Sequence, residues 1–352
     1  MKNFGSLILG IILFLGAFCL LWWNEGNSAK KINIANYAKK YAIEVNSNSI
    51  QRENDNKLIA TTGHAQTSST LGDEFVTSPN TLVLERIVKM YQWIEDHEDG
   101  KTVYKKEWSD IEENSDEFED KIHKNPHFPI TSKEYIAESA TLGQYDLSEK
   151  QIQMIEPQKG FSNLSEKAGY KIIDNQYYKG NNIDNPEIGD LLVSYNYAPS
   201  NTPISIIGEQ KSDNTVVSMI HKKIGAIYIQ YNGKMTKDEM LDKYTNDNKI
   251  QTMGLRFLGW FLMFLGLKLF FEPLMNILNL IPIIGQLANT ATTFVFALIT
   301  FVLSLFTISV AWFAYRPLLS LLLILICGSI IYFVKTKLTE NKIVINGKSE
   351  SV

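Results

Sequence analysis

The sequence predicts a protein of two parts: an α+β extramembrane domain and an all-α membrane region with four transmembrane helices, one N-terminal and three C-terminal. Three observations carry that prediction. Apolar runs at Phe4–Trp23, Met253–Phe271, Ala291–Phe313 and Pro317–Val334 are each about long enough to cross the ~30 Å hydrocarbon core as a helix. A polar stretch, residues 24–250, separates the first run from the second and is long enough to bury a core of its own. Within it, short β-period runs alternate with turn signals. The expected boundaries are an anchor over 1–24, an extracytoplasmic domain over 25–250, a three-helix membrane region over 251–334 and a cytoplasmic tail over 335–352.

The first run carries no charge between Phe4 and Trp23. It is longer than a typical signal-peptide core, and Trp22-Trp23-Asn24-Glu25 lacks the small residues of a cleavage site, so it reads as a retained anchor. The paired tryptophans suit a membrane interface. Asn24-Glu25-Gly26-Asn27-Ser28 then supplies turn and cap signals, and Ala29–Val45 spaces Ile32, Ala35, Ala38 and Ala42 as an amphipathic helix. Strand-like patterns follow at Lys57–Gln66 and Thr81–Ile94. The polar turn Glu95–Gly100 returns the chain into Lys101–Trp108 as a hairpin. Asn114–Asp120 is an acidic linker or a helix start, and residues 131–155 carry short mixed helical patterns. Strands are predicted at Tyr170–Tyr178, Asp190–Tyr197, Ile204–Gln210 and Ala226–Tyr231, and a helix from Lys237 to Asn246 leads into the second span. The segment 272–290 is apolar but interrupted by Pro273, Pro282 and Gly285. It reads as a pair of short interfacial helices, with a re-entrant hairpin as the alternative.

Charge orients the chain. Residues 24–250 hold 26 Lys and Arg against 35 Asp and Glu, a net of −9, whereas the remainder holds 8 against 3, a net of +5. Lys2 and the tail lysines from Lys335 to Lys348 place both termini in the cytoplasm, with the acidic domain outside; Lys30, Lys31, Lys39 and Lys40 weigh the other way. Cys19 and Cys327 both fall in predicted spans, which leaves the domain without a disulfide or a cysteine metal site.

Recognisable chemistry is sparse. His123 and His127 are split by Pro126 and lack a third ligand, and the carboxylates of Glu95–Asp99 and Glu112–Asp120 lack calcium-loop spacing. No phosphate-cradling glycine loop or nucleophile elbow occurs, so no catalytic, cofactor-binding or metal residue is assigned. Charges beside the spans carry more information, because burying them in lipid is costly. Arg256 opens the second span, Lys268 and Glu272 stand one turn apart at its far end, and Arg316 sits in a tight corner before Pro317. Gly259 and Gly266 share a face on which a neighbouring helix can pack closely. The candidate membrane-junction residues are Asn24, Glu25, Gly26, Arg256, Trp260, Tyr315 and Arg316.

Taken in order, several short motifs resemble the LUMA family, also called transmembrane protein forty-three. They are Asn24-Glu25-Gly26, Met90-Tyr91-Gln92-Trp93, Glu107-Trp108, His123-Lys124-Asn125-Pro126, Gly189-Asp190-Leu191, Met253-Gly254-Leu255-Arg256, Gly259-Trp260, Met263-Phe264 and Tyr315-Arg316-Pro317-Leu318. The Glu95–Lys106 hairpin looks shorter than in animal members. The resemblance implies four spans, a large domain in the ER lumen or bacterial periplasm, self-association and the organising of other membrane proteins, without catalytic residues. Composition leans toward a bacterial member in the inner membrane, with the ER and inner nuclear membrane as the eukaryotic counterpart. The expected function is a multi-pass membrane scaffold whose partners are membrane lipids, further membrane proteins and copies of itself, with no nucleic acid and no cofactor. The alternative is a membrane enzyme or lipid-handling protein with a polar site where domain and bundle meet.

Overall fold

A computed structural model of the chain describes residues 2–98, 101–278, 282–317 and 321. It divides into two compact units, Tyr37–Leu241 and the pair of segments Met1–Asn36 and Asp242–Val352.

The first unit is built on two seven-stranded sheets. In one, Val216–Val217, Thr202–Gln210, Leu58–Gln66, Ala140–Leu142 and Tyr145–Leu147 lie side by side, and Asp146 bridges Thr215 so that the sheet closes on itself. Ile43–Asn46 joins Leu58–Gln66 in parallel and the Asp146–Thr215 bridge is parallel too, whereas the other strand pairings of this sheet are antiparallel. In the other sheet, the 18-residue strand Thr81–Glu98 pairs with Lys101–Ser109 on one side and Leu191–Pro199 on the other. That long strand serves two cores at once, its first residues in one and its middle in the other. Leu82 and Val83 pack with Ile59, Leu142, Tyr145 and Ile206, whereas Leu84, Val88 and Met90 pack with Tyr177, Val193 and Tyr195.

A buried ion pair fastens the second core. The Asp73 carboxylate accepts from Arg86 Nη1 at 2.7 Å, from the Tyr195 hydroxyl at 2.8 Å and from the backbone amides of Phe75 and Val76 at 2.9 and 3.2 Å. Burial alone would raise the carboxyl pKa. The donors, Arg86 among them, outweigh it and hold Asp73 below the ordinary carboxylate range. The same burial, with Asp73 alongside, pushes the Tyr195 hydroxyl up.

Structure and pattern part at several places. The turn expected at Asn24–Ser28 is absent: α1 runs unbroken over Lys2–Tyr41, and Ile43–Asn46 is a strand where the amphipathic helix was to continue. Tertiary hydrogen bonds to the polar side chains of 24–28 override their local turn preference. Residues 131–155 fold mainly as strands, Lys133–Ile136, Ala140–Leu142 and Tyr145–Leu147, with only α2, Glu149–Gln153, helical behind the Ser148 capping box. The single strand expected over Tyr170–Tyr178 is a hairpin, Lys171–Ile173 with Gln176–Lys179. Asp174 and Asn175 make its turn at φ of 48° and 59°, a conformation that Asp and Asn tolerate. The predicted hairpin of 81–108 is present, with Glu98 opposite Lys101.

The second unit is helical. α1, α3 (Lys237–Leu278) and α4 (Pro282–Tyr315) each include a segment long and apolar enough to cross a membrane. At ~1.5 Å per residue the 40 residues of α1 reach about 60 Å, twice the hydrocarbon thickness, so only part of the helix is needed for a span. The run Pro317–Val334 lies almost wholly outside the described residues. Within 272–290, the described backbone is the end of α3, which continues past Pro273 to Leu278, and the opening of α4. α1 and α3 pack antiparallel, and glycine permits the closest approach. A Cβ on Gly266 would lie 2.5 Å from the Phe14 amide nitrogen, and one on Gly259 would lie 2.5 Å from Leu21 Cδ2. Ala17, Leu21 and Met263 form the buried centre of this packing.

Two outcomes are expected of the purified full chain. Asp73→Asn leaves Arg86 buried without its counter-charge and costs about 3–5 kcal/mol. Because the folded Asp73 pKa is depressed, its stabilisation is present above about pH 4 and is lost as pH falls through the lower folded value. Denaturation between pH 7 and 3 checks both, with the variant losing less stability on acidification than the parent. Gly266→Val forces backbone apart and lowers stability by about 1–3 kcal/mol. Gly16→Ala, where an added methyl meets nothing within 4 Å, leaves thermal melting unchanged.

Candidate functional site

The polar residues near one end of the helical bundle converge on a single carboxylate. Glu25 follows the tryptophan pair on α1 and is 0 % exposed. Arg256 on α3 grips it with both arms of the guanidinium, Nε to Oε1 at 2.6 Å and Nη2 to Oε2 at 2.8 Å. Trp312 on α4 donates its indole N–H to Oε2 at 2.6 Å. One buried anion thereby joins all three long helices. Bidentate arginine geometry is the strongest form of such a bond, and a low-dielectric setting strengthens it further.

A second layer lines up along the α1–α3 seam. Asn24 Nδ2 donates to the Thr252 carbonyl at 3.1 Å, and Asn248 Nδ2 donates to the Ser28 carbonyl and hydroxyl at 3.2 and 3.3 Å. Thr252 returns its hydroxyl to the Asn248 carbonyl at 2.6 Å. Arg316, just past α4, reaches the Ser28 hydroxyl through Nη2 at 3.0 Å. Both guanidinium groups lie over the Trp312 ring, Arg256 at 5.5 Å and Arg316 at 5.9 Å from its centroid. Gly26 leaves room for Tyr315: a Cβ there would lie 2.8 Å from the phenol carbon Cζ, and Tyr315 also meets Trp22 edge-on at 5.7 Å.

Of the seven junction candidates, Glu25 and Arg256 bind directly, and Asn24, Gly26, Tyr315 and Arg316 close around them. All seven lie in the helical unit. Trp260 stands apart, its indole donating to the Ala297 carbonyl at 3.3 Å. Among the described residues Lys268 and Glu272 make no ion pair. Sequence reasoning assigned no role to Trp312, Asn248 or Thr252, and read Ser28 only as part of a turn. Their spacing was a usable signal: Asn24 and Ser28, Asn248, Thr252 and Arg256, and Trp312 and Arg316 each repeat every four residues, so each set shares a helix face.

Chemically this arrangement holds rather than reacts. Both Glu25 oxygens are engaged by donors and the group is closed to solvent, so it presents no accessible face to a substrate. Among the described residues, no cluster of three or more His, Cys, Asp or Glu side chains could hold a metal ion. In the β-rich unit, His123 stacks on Tyr104 with ring centroids 4.1 Å apart and meets Trp93 edge-on at 4.3 Å, while His127 contacts Glu112 at the surface.

An ion-clamped bundle of span-length helices, with a large β-rich unit between the first and second of them, defines an integral membrane protein. The chain belongs to the Transmembrane protein 43 family, whose pattern matches residues 90–317. It is 30% identical over 350 residues to Transmembrane protein 43 of Homo sapiens, covering 91% of this chain and 86% of that one. It is 29% identical over 353 residues to the Pongo abelii protein, covering 92% and 87%. Identity to the Drosophila melanogaster homolog is 26% over 352 residues, covering 90% and 91%. No solved structure matches the chain.

The clamp makes an energetic prediction. Glu25→Gln leaves Arg256 without its counter-charge and lowers stability by about 3–5 kcal/mol. Combining Glu25→Leu with Arg256→Met removes both charges and restores much of the loss. Thermal melting of the full chain in detergent separates these outcomes. A double variant no more stable than the single one would show that the pair is not acting as a unit.

Proposed function

We propose that this chain is a four-span, multi-pass membrane scaffold of the bacterial inner membrane, its β-rich domain facing the periplasm. It self-associates and gathers other membrane proteins and lipids around its helical unit. The observation that supports this most directly is the fate of the junction residues. Glu25 is buried and held by three structural bonds, and Asn24, Asn248, Thr252 and Ser28 are spent on the α1–α3 seam. The polar chemistry of the bundle therefore fixes one helix arrangement. Outside that arrangement α4 turns Phe294, Leu298, Phe301, Val302, Phe306 and Phe313 outward, a continuous apolar surface for lipid tails or neighbouring spans. Placement of the termini in the cytoplasm rests on Lys2 and the tail lysines.

Crosslinking in native membranes, followed by affinity capture of the full chain, tests the reading. The expected products are homo-oligomers together with a reproducible set of neighbouring membrane proteins. A chain that stays monomeric and retains no neighbour at any crosslinker concentration removes the basis for a scaffold.

A further inference from the structure

The buried carboxylate leaves a charge imbalance beside it. Arg256 and Arg316 both approach Trp312, yet among the described residues Glu25 is the one carboxylate bonded within this cluster, so two cations there face one anion. Arg256 spends Nε and Nη2 on Glu25, and among the described residues the Arg316 side chain makes one hydrogen bond, to Ser28. A guanidinium has five N–H groups, so each arginine keeps donors to offer. Burying unbalanced cations at a membrane is costly unless an anion meets them.

Directly beside Arg256 a groove of about 300 Å³ runs between α3 and α4. Phe257 and Trp260 form one wall, and Phe301, Leu305 and Ile308 form the other. Its few polar groups below the arginine are already satisfied. The Trp260 indole donates to the Ala297 carbonyl, and the Ser304 hydroxyl donates to the Phe301 carbonyl at 2.8 Å. The groove is therefore apolar along its length and cationic where Arg256 borders it.

We propose that this groove is a lipid site, seating one acyl chain of an anionic phospholipid whose phosphate is held by Arg256 and Arg316. The pairing is chemically specific. Arginine matches phosphate oxygens bidentately, and basic groups at a bilayer surface favour anionic over zwitterionic headgroups. A zwitterionic lipid would bring its own cation to an already positive cluster. Free phosphate would satisfy the arginines but leave the apolar groove empty. The proposal goes beyond the scaffold reading and does not depend on it.

Native mass spectrometry of the full chain tests the site, with the protein released from nanodiscs containing equal phosphatidylglycerol and phosphatidylcholine. The parent protein is expected to retain phosphatidylglycerol in preference. Arg316→Gln, which leaves the Glu25–Arg256 pair intact, is expected to lower that preference about fivefold. Leu305→Trp fills the groove from a position that is 47% exposed, and should reduce retention while both arginines remain. Thermal melting confirms that each variant is folded. Equal retention of the two lipids by the parent protein would overturn the proposal. So would a groove-filled variant that binds like the parent, whether because another segment of the chain occupies the groove or because the arginines act alone. Displacement of phosphatidylglycerol by millimolar inorganic phosphate, with Leu305→Trp silent, would reduce the site to a simple anion site. Oligomers are counted separately in the same spectra, so a lost lipid preference and a lost self-association are distinguishable.

Discussion

Burying one carboxylate at the end of a membrane bundle constrains most of what surrounds it. An ionised group shut away from water costs several kcal/mol unless opposite charge and hydrogen bonds meet it in good geometry. Glu25 is therefore the demand, and Arg256 and Trp312 are the supply, each from a different helix. Because the donors come from α3 and α4, satisfying the charge and assembling the bundle are the same event. The seam of Asn24, Ser28, Asn248 and Thr252 then sets the register of α1 against α3, and Gly10, Gly259 and Gly266 let the two backbones close below it. A one-residue slip would turn the polar set toward lipid and drive Phe14 into the position that Gly266 vacates.

The β-rich unit solves a similar problem in a different medium. Asp73 and Arg86 form a buried pair, completed by Tyr195, Tyr135 and two backbone amides. There, the pair joins the loop after Leu71–Gly72 to the two central strands of one sheet, and its effect is open to titration from the aqueous side. Both units thus build an arginine–carboxylate pair on which elements distant in sequence converge, through Tyr195 in one and through Arg256 and Trp312 in the other. Such pairs specify arrangement more reliably than they add net stability, because a well-packed apolar replacement can be equally stable.

Legibility in the sequence followed the range of the forces involved. The apolar runs were visible because a span is a local property of about 20 residues. The long hairpin was visible because β alternation and its polar turn are local too. The break expected at Asn24–Ser28 failed because those residues favour turns only when their side chains must find partners nearby. Here Asn248 and Thr252, 220 and 228 positions from Ser28 and Asn24, supply partners instead, and the helix continues. The strands within 131–155 were missed for a related reason. Segments of three or four residues, such as Ala140–Leu142, are held by the ladder to Leu58–Gln66 rather than by their own propensity.

The candidate residues were legible one at a time but not as a constellation, and that difference bears on function. A charge next to a span announces itself by its cost. What it meets depends on helix packing, which four-residue spacing narrows without choosing the partner. Because Glu25 is closed off by Arg256 and Trp312, it is poorly placed to act as a general acid or base, which needs access to a reacting proton. The arginines differ, because a guanidinium that has met one carboxylate still has donors to give. The functional chemistry of this bundle therefore moves from its anion, which is spent, to its cations, which are not, and to the apolar groove that Arg256 borders.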